Sequence, residues 1–374
     1  MQFVVVVGLC FVSTALAYDW STNPGNGSTG NPYQISTPEQ MNSIGTDTSL
    51  WDKCFILMND IDMSAYTGAQ YNMIGSVSYK FTGTFNGDGH IILNLTITSP
   101  TKDNIGLFGN IGTNGQVINL GLEKINIQGQ SIVGGLCGQN YSGTINCCYV
   151  NGTVIATSSS IGGLVGYNTS LIVSCYATGT VTGTSNVGGL VGRGGNIKNC
   201  YSTSIVSATG PYVGGLVGRT NAGTIAGCFW DAEITGIKHQ PYLGGRGLST
   251  LEMQTVNTYS LNNWFGETWT MAEGEYPHLF WEGTGHEFIG KPVISMNGNG
   301  TSESPYQITT KEDLLLVSRN IYFWDKHLIL VNDLNVNNCP IDRIGCIHVA
   351  PFSGVFDGSG QTLYDFKIDV PQVT

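Results

Sequence analysis

The chain has 374 residues, enough for about two or three ordinary domains, with only 11% charged and 52 glycines. Val, Ile, Thr and Tyr recurring among those glycines point to short strands joined by tight turns rather than to disorder, and the absence of a strict Gly-X-Y period excludes collagen. A formal net charge of −11 and a pI near 4.8 argue against nucleic acid or an anionic membrane as partner.

Residues 1–17, MQFVVVVGLCFVSTALA, have an apolar core followed by Ala15-Leu16-Ala17, the small-x-small form of a secretory cleavage site, so the mature chain is expected to begin at Tyr18. The n-region has no Lys or Arg, and the alternative is a buried N-terminal strand. No later run is long and apolar enough to span a membrane. Removing Cys10 leaves nine of the ten cysteines, an odd number, so at least one thiol stays free or pairs between molecules.

Residues 18–97 read as an entry unit. Thr37-Pro38-Glu39-Gln40 is a helix start with Thr as N-cap, Pro at the first position and Gln three residues after the cap, and a short helix there would cover an open edge strand at this end of the molecule.

Residues 98–235 carry an internal repeat. Val133-Gly134-Gly135-Leu136-Cys137-Gly138 is followed by IGGLVG at 161–166 and VGGLVG at 187–192 and 213–218, with periods of 28, 26 and 26 residues. In step with it runs Ile-x-x-Cys-aromatic-x4-Val/Ile, at Ile145/Cys148/Tyr149/Val154, Ile172/Cys175/Tyr176/Val181, Ile197/Cys200/Tyr201/Val206 and Ile225/Cys228/Phe229/Ile234. Neither half has helical spacing; both are short β-branched runs bounded by turn residues. One such unit cannot bury its apolar face alone, whereas equivalent strands stacked in parallel share a continuous core. The expected fold is therefore all-β, a parallel β-helix with short capping helices. The Leu136, Leu164, Leu190 and Leu216 series and the Ile145, Ile172, Ile197 and Ile225 series are expected inside. Cys148, Cys175, Cys200 and Cys228 form a third ladder, expected as buried thiols, with disulfides between turns as the alternative. Gly106-Leu107-Phe108-Gly109 and Ile118-Asn119-Leu120-Gly121-Leu122 read as a degenerate first copy, with Gly121 in place of the cysteine.

GGLVG followed by an NCY or SCY step resembles the GLUG repeat of microbial surface and secreted proteins, including relatives of adhesins and IgA-peptidase-like proteins. The likeness covers most of the chain and extends to Asn31-Pro32-Tyr33-Gln34-Ile35, Asn59-Asp60-Ile61-Asp62 and Phe81–His90 upstream, and to Cys228-Phe229-Trp230-Asp231, Glu252–Thr255 and Tyr276-Pro277 downstream. It implies architecture and export rather than a reaction.

From 236 to 290 the repeat stops. Trp264, Trp269 and Trp281 appear with a second helix start, Ser249-Thr250-Leu251-Glu252, which reads as a packed C-terminal cap or connector. Residues 291–374 restart the entry unit. Pro305-Tyr306-Gln307-Ile308, Trp324-Asp325-Lys326 and Phe352–Gly358 parallel Pro32-Tyr33-Gln34-Ile35, Trp51-Asp52-Lys53 and Phe81–Gly87. No GGLVG turn comes after them before Thr374, which reads as a truncated gene or a fragment of a tandem protein, with a half-unit that pairs with another chain as the alternative.

Catalysis on a β-helix would need a carboxylate pair, or a base beside a cation, yet Ser131–Trp230 contains no Asp and no Glu. Asp60, Asp62, Asn86 and Asp88 suit a calcium site in type, but turn-forming Asx residues account for them better, since the second entry unit has Asn335 and Ser359 where the first has Asp62 and Asp88. None of His90, His239, His278, His286, His327 and His348 falls in H-E-x-x-H, and no metal ligand or cofactor is assigned. Gln139, Tyr167, Arg193 and Arg219 each come directly after a GGLVG copy. They are expected to form one exposed ladder, with Tyr167, Arg193 and Arg219 able to bind a sulfated or uronic-acid glycan; a solubilising loop edge is the plainer account. Sequons stand at Asn26, Asn94, Asn140, Asn151, Asn168 and Asn299. The expectation is a non-catalytic, secreted or surface structural and adhesive protein whose partner is a glycan, matrix or surface protein. The rivals are a carbohydrate-active enzyme using acids of 18–97 and 229–290, and a non-catalytic arm of an exported protease.

Overall fold

The structure, a computed structural model, describes residues 18–221, 223–237, 245–264, 266–290, 296–319, 321–337 and 352–365; the expected leader at 1–17 lies outside them. Successive coils stack into parallel sheets. Val133–Gly134, Ser159–Gly162, Ser185–Gly188 and Val213–Gly214 form one sheet, and Phe108–Ile111, Cys137–Asn140, Val165–Asn168, Val191–Gly194 and Val217–Arg219 form a second. A larger third sheet holds the strands carrying the isoleucines and those beginning at Tyr149, Tyr176, Tyr201 and Phe229. The fold is the expected parallel β-helix. Ile145, Ile172, Ile197 and Ile225 are direct neighbours in register, and they and the four repeat leucines are buried.

The glycines of GGLVG are where backbone meets backbone. A Cβ at Gly188 would lie 2.0 Å from the Val191 carbonyl oxygen and 2.5 Å from the Gly218 nitrogen one coil on; at Gly189 it would lie 2.2 Å from the Gly215 oxygen. The third glycine faces the other way, since a Cβ at Gly192 would lie 2.3 Å from the Ile161 nitrogen of the preceding coil. The motif thus records how tightly the chain turns, and Leu190 and Val191 are the side chains that fill the remaining interior.

Cys148, Cys175, Cys200 and Cys228 are buried and unbridged. Each thiol donates to the carbonyl two residues upstream, at Asn146, Val173, Lys198 and Ala226, over 3.1–3.2 Å. Two of them also accept from the coil before, Cys175 from the Cys148 N–H at 3.4 Å and Cys200 from the Cys175 N–H at 3.3 Å. A disulfide between coils would remove these donors, and burial pushes the Cys148, Cys175 and Cys200 thiols well above their ordinary range. Iodoacetamide at mildly alkaline pH is therefore expected to label Cys54 in the native protein and leave these three untouched until denaturant is added. Peptide mass spectrometry reads the outcome; native labelling of any of the three, or a Cys175–Cys200 disulfide peptide, would contradict this ladder.

The residue before each ladder position turns the corner in the left-handed region, with φ of 52° at Cys147, 51° at Ser174, 51° at Asn199 and 58° at Gly227. The first coil does the same at Asn119, φ 52°, and its Val117 pairs with Ile145 and its Gly121 with Tyr149. This corrects the reading of that coil by one residue. Leu120 takes the cysteine position, and Gly121 takes the aromatic one, where a Cβ would lie 2.6 Å from the Tyr149 ring.

At the N-terminal end, Pro38–Ile44 is helical with the anticipated capping box between Thr37 and Gln40, and Met41 and Ile44 are buried in the core. The second entry unit repeats the first in detail. Tyr306–Ile308, His327–Leu330 and Val355–Asp357 pair as do Tyr33–Ile35, Cys54–Leu57 and the start of Thr84–Leu93. Trp324 donates its indole N–H to the Val317 carbonyl at 3.0 Å, as Trp51 does to Ile44 at 2.9 Å.

The Trp-rich segment first adds a strand at the end of the solenoid, Arg246–Leu248 in parallel with Phe229–Asp231 of the last coil. It then runs back along one side, over the column formed by Tyr149, Tyr176, Tyr201 and Phe229. The tyrosine rings stack at 4.8 Å and within 7° of parallel, the strand spacing imposed on identical side chains. Trp264 donates to the Gly227 carbonyl at 2.7 Å, and Trp281, lying over Tyr149, donates to the Cys147 carbonyl at 3.1 Å. Later residues of the segment thus meet earlier coils.

Candidate functional site

The residues after each GGLVG copy come together as expected. Gln139, Tyr167, Arg193 and Arg219 are successive partners in the second sheet, with Asn110 of the first coil continuing the line. They are less uniformly exposed than anticipated: Arg219 is exposed, whereas Gln139, Tyr167 and Arg193 are half-buried. The reason is mutual packing. The Arg193 guanidinium lies 5.1 Å from the Tyr167 ring centroid and its Nε donates to Asn221 Oδ1 at 3.1 Å, while the Arg219 guanidinium lies 4.7 Å from the Tyr212 ring centroid. Among the described residues no carboxylate forms an ion pair with either arginine. The chain just beyond this line in three coils, including Thr169, Ser170, Asn196, Lys198 and Thr224, borders an open groove of about 350 Å³.

Alternation places Asn140 and Asn168 on the opposite face of the same strands. Both are buried, and Asn140 donates to Asn168 Oδ1 at 2.9 Å. Their sequons are therefore closed to modification in the folded coil.

Residues 157–182, one complete period of this architecture, match the family model described as the GLUG motif. That coil carries the GLUG motif, and the coils stacked on it share its strands and register. Beyond them, the chain is similar to "Halomucin" of Haloquadratum walsbyi, 29% identical over 52% of this chain and 2% of that protein. It is also similar to a "Putative Gly-rich membrane protein" of Evansella cellulosilytica, 33% identical over 68% of this chain and 45% of that one. The chain thus spans less than half the length of these curated relatives. A solved structure titled "Crystal structure of a putative immunoglobulin A1 protease from Bacteroides ovatus" superimposes with a TM-score of 0.51 at 20% identity, over 69% of this chain and 94% of that one, which shows a shared fold. No helix of the described residues is long and apolar enough to cross a membrane.

Several acidic residues around these coils have structural partners. Asp62 accepts from the Ser64 N–H and from Asn94 Nδ2, each at 2.9 Å, which holds its carboxyl below the usual range, and Asn86 accepts from the Asp88 N–H at 2.9 Å. These are the turn-forming roles expected of them. Glu123 accepts from the Tyr149 hydroxyl at 2.6 Å, and Glu282 from the Tyr176 hydroxyl at 2.9 Å and the Leu279 N–H at 2.6 Å.

The structure also assembles a group that the sequence reading missed. Ligand-type atoms of Glu275, His278 and His286 all lie within 4.8 Å of one another. The spacing Glu-x2-His-x7-His matches no local motif, because the three residues meet across antiparallel segments.

Proposed function

We propose that this protein is a non-catalytic extracellular structural and adhesive solenoid that presents the strip Gln139–Tyr167–Arg193–Arg219 to an anionic glycan. The observation that carries the reading is the strip itself: two arginines in register, each stacked on a tyrosine, with a groove lined by Thr169, Ser170, Leu171, Lys198 and Thr224 just beyond it along the chain. Guanidinium forks suit sulfate and carboxylate oxygens, and a half-exposed aromatic ring suits the apolar face of a sugar. The stacking restrains the arginine side chains before a ligand arrives, which lowers the entropy lost on binding. The halomucin and membrane-protein likenesses support a surface setting.

Against the enzyme alternative stands the use of the nearby acids. The Trp-rich segment does meet the entry unit, where Trp281 lies against Gly89. Of the carboxylates near this junction, Glu123 and Glu282 accept from hydroxyls of the tyrosine ladder and Asp60 accepts from the Ile91 N–H.

The test is a glycan array probed with the full chain and with the double variant Arg193→Ala/Arg219→Ala. Selective binding to sulfated or uronic-acid glycans is expected, weakened more than about tenfold in the variant, since one charge-assisted hydrogen bond contributes roughly 1.5–3 kcal/mol. Binding should also weaken as salt rises. No binding, or binding unchanged in the double variant, would remove the strip as a site.

A further inference from the structure

We propose that Glu275, His278 and His286 form a binding site for a divalent transition-metal ion of the zinc type, which fastens the Trp-rich segment into one unit. The segment's small sheet supplies the frame: Trp269–Thr270 pairs antiparallel with His278–Leu279, and Thr270 also bridges antiparallel to Phe288. His278 thus sits on one flanking strand and His286 just before the other. Glu275 lies in the connection that leads into His278, beside the turn closed by its N–H donating to Ala272. One ion bound to all three would tie the turn to both flanks.

The donor set selects the metal. Two imidazoles and one carboxylate suit zinc and its borderline neighbours; calcium and magnesium prefer oxygen ligands alone, and softer ions prefer thiolate. Three protein ligands leave a coordination position for water. Glu275 Oε2 and His286 Nε2 already lie 2.7 Å apart, so an ion bound between them would take the place of their direct contact. The pair must open by somewhat under about 1 Å to reach the separation of neighbouring ligands around zinc, and the half-exposed Glu275 side chain can supply that movement.

The fourth residue makes this more than three polar groups in proximity. His278 Nδ1 lies 3.2 Å from Glu282 Oε2, a carboxylate itself held by the Tyr176 hydroxyl and the Leu279 N–H. A carboxylate holding the second nitrogen of a ligand histidine is the usual outer-shell support of a metal site, where it fixes the direction and tautomer of the ring. Here that support is anchored on the tyrosine ladder, so the ion would couple the ladder's cover to the solenoid. This inference is independent of glycan binding at the arginine strip.

The experiment is calorimetric titration of the metal-free full chain with ZnCl2 at neutral pH, with thermal unfolding followed in parallel. One zinc per chain is expected at this site, with a rise in Tm of several degrees, because a ligand that binds only the folded state stabilises it. CaCl2 should produce neither effect. His286→Gln and the double variant His278→Gln/His286→Gln should lose at least tenfold in zinc affinity and lose the Tm rise, while keeping the wild-type circular dichroism spectrum without metal. Co2+ offers a second readout, a visible absorption band of low-symmetry nitrogen and oxygen coordination that the variants lack. Absence of zinc binding by the wild type, or zinc and cobalt responses unchanged in the double variant, would overturn the assignment.

Discussion

Replacing Gly188 by alanine is expected to cost at least about 4 kcal/mol and to abolish the native transition where the wild type still unfolds cooperatively. The methyl group would lie 2.0 Å from the Val191 carbonyl oxygen, 2.5 Å from the Gly218 nitrogen and 2.9 Å from the Leu216 oxygen. All three are backbone atoms, so no side chain can rotate aside. The Leu216 oxygen already accepts from the Leu190 N–H at 2.9 Å and from the Val191 N–H at 3.0 Å. Moving it would break the ladder that joins two coils, and in a solenoid such an interface is part of the stability of every neighbouring repeat. Urea denaturation followed by circular dichroism measures the effect, with Gly30→Ala as the control. A Cβ at Gly30 meets nothing within 4 Å, so that change should stay within about 0.5 kcal/mol of wild type. A Gly188→Ala protein less than about 1 kcal/mol from wild type would mean that the coils have more room than these distances allow.

The same contacts explain which parts of the molecule were legible in the sequence. A stacked coil repeats its physical problem every turn, so the glycines, the leucines and the isoleucines reappear at a constant period and their register can be read directly. The arginine strip was visible for the same reason, because a fixed offset from GGLVG fixes a position in the sheet. The first coil slipped by one residue because its ladder letters had changed. Leu120 stands for the cysteine and Gly121 for the aromatic, and the left-handed corner at Asn119 was the remaining marker.

The cover of the solenoid was harder to read. Trp264, Trp269 and Trp281 announced a packed element, but what they pack on lies up to 134 residues away, at Cys147, with no shared period to connect them. A signal was nonetheless present. An aromatic residue adjacent to each inward cysteine must point outward by strand alternation, and an unbroken apolar column on the outside of a coil calls for something to cover it. The Glu275, His278 and His286 group had no such signal, because it depends on how one small antiparallel sheet is folded onto that column.

Tyr201→Ala is expected to destabilise the protein by about 3–5 kcal/mol, in the range for truncating a large buried aromatic. Tyr201 is 3% exposed, stacked on Tyr176 at 4.8 Å and close to Trp269 and Tyr276 at 5.9 and 6.3 Å between centroids. Its hydroxyl donates to the Pro277 carbonyl at 2.7 Å, linking the ladder directly to its cover. Burial and nearby Glu282 hold that hydroxyl protonated well above the ordinary tyrosine range, so it remains a donor throughout neutral and mildly alkaline pH. Tyr201→Phe separates the two contributions. It keeps the stacking and removes one hydrogen bond, for an expected cost of about 0.5–1.5 kcal/mol, with a further penalty if the Pro277 oxygen finds no other donor. In Tyr201→Ala the cavity opens between solenoid and cover, so loosening should concentrate in the Trp-rich segment. Trp264 and Trp269, both buried there, should report it as red-shifted emission, and limited proteolysis should cut first within 245–290 while the coils persist. If instead the alanine variant unfolds in one step, with coils and cover lost together, the cover is an integral part of the folding unit. A cost below about 1 kcal/mol would show that the tyrosine column contributes little to holding it.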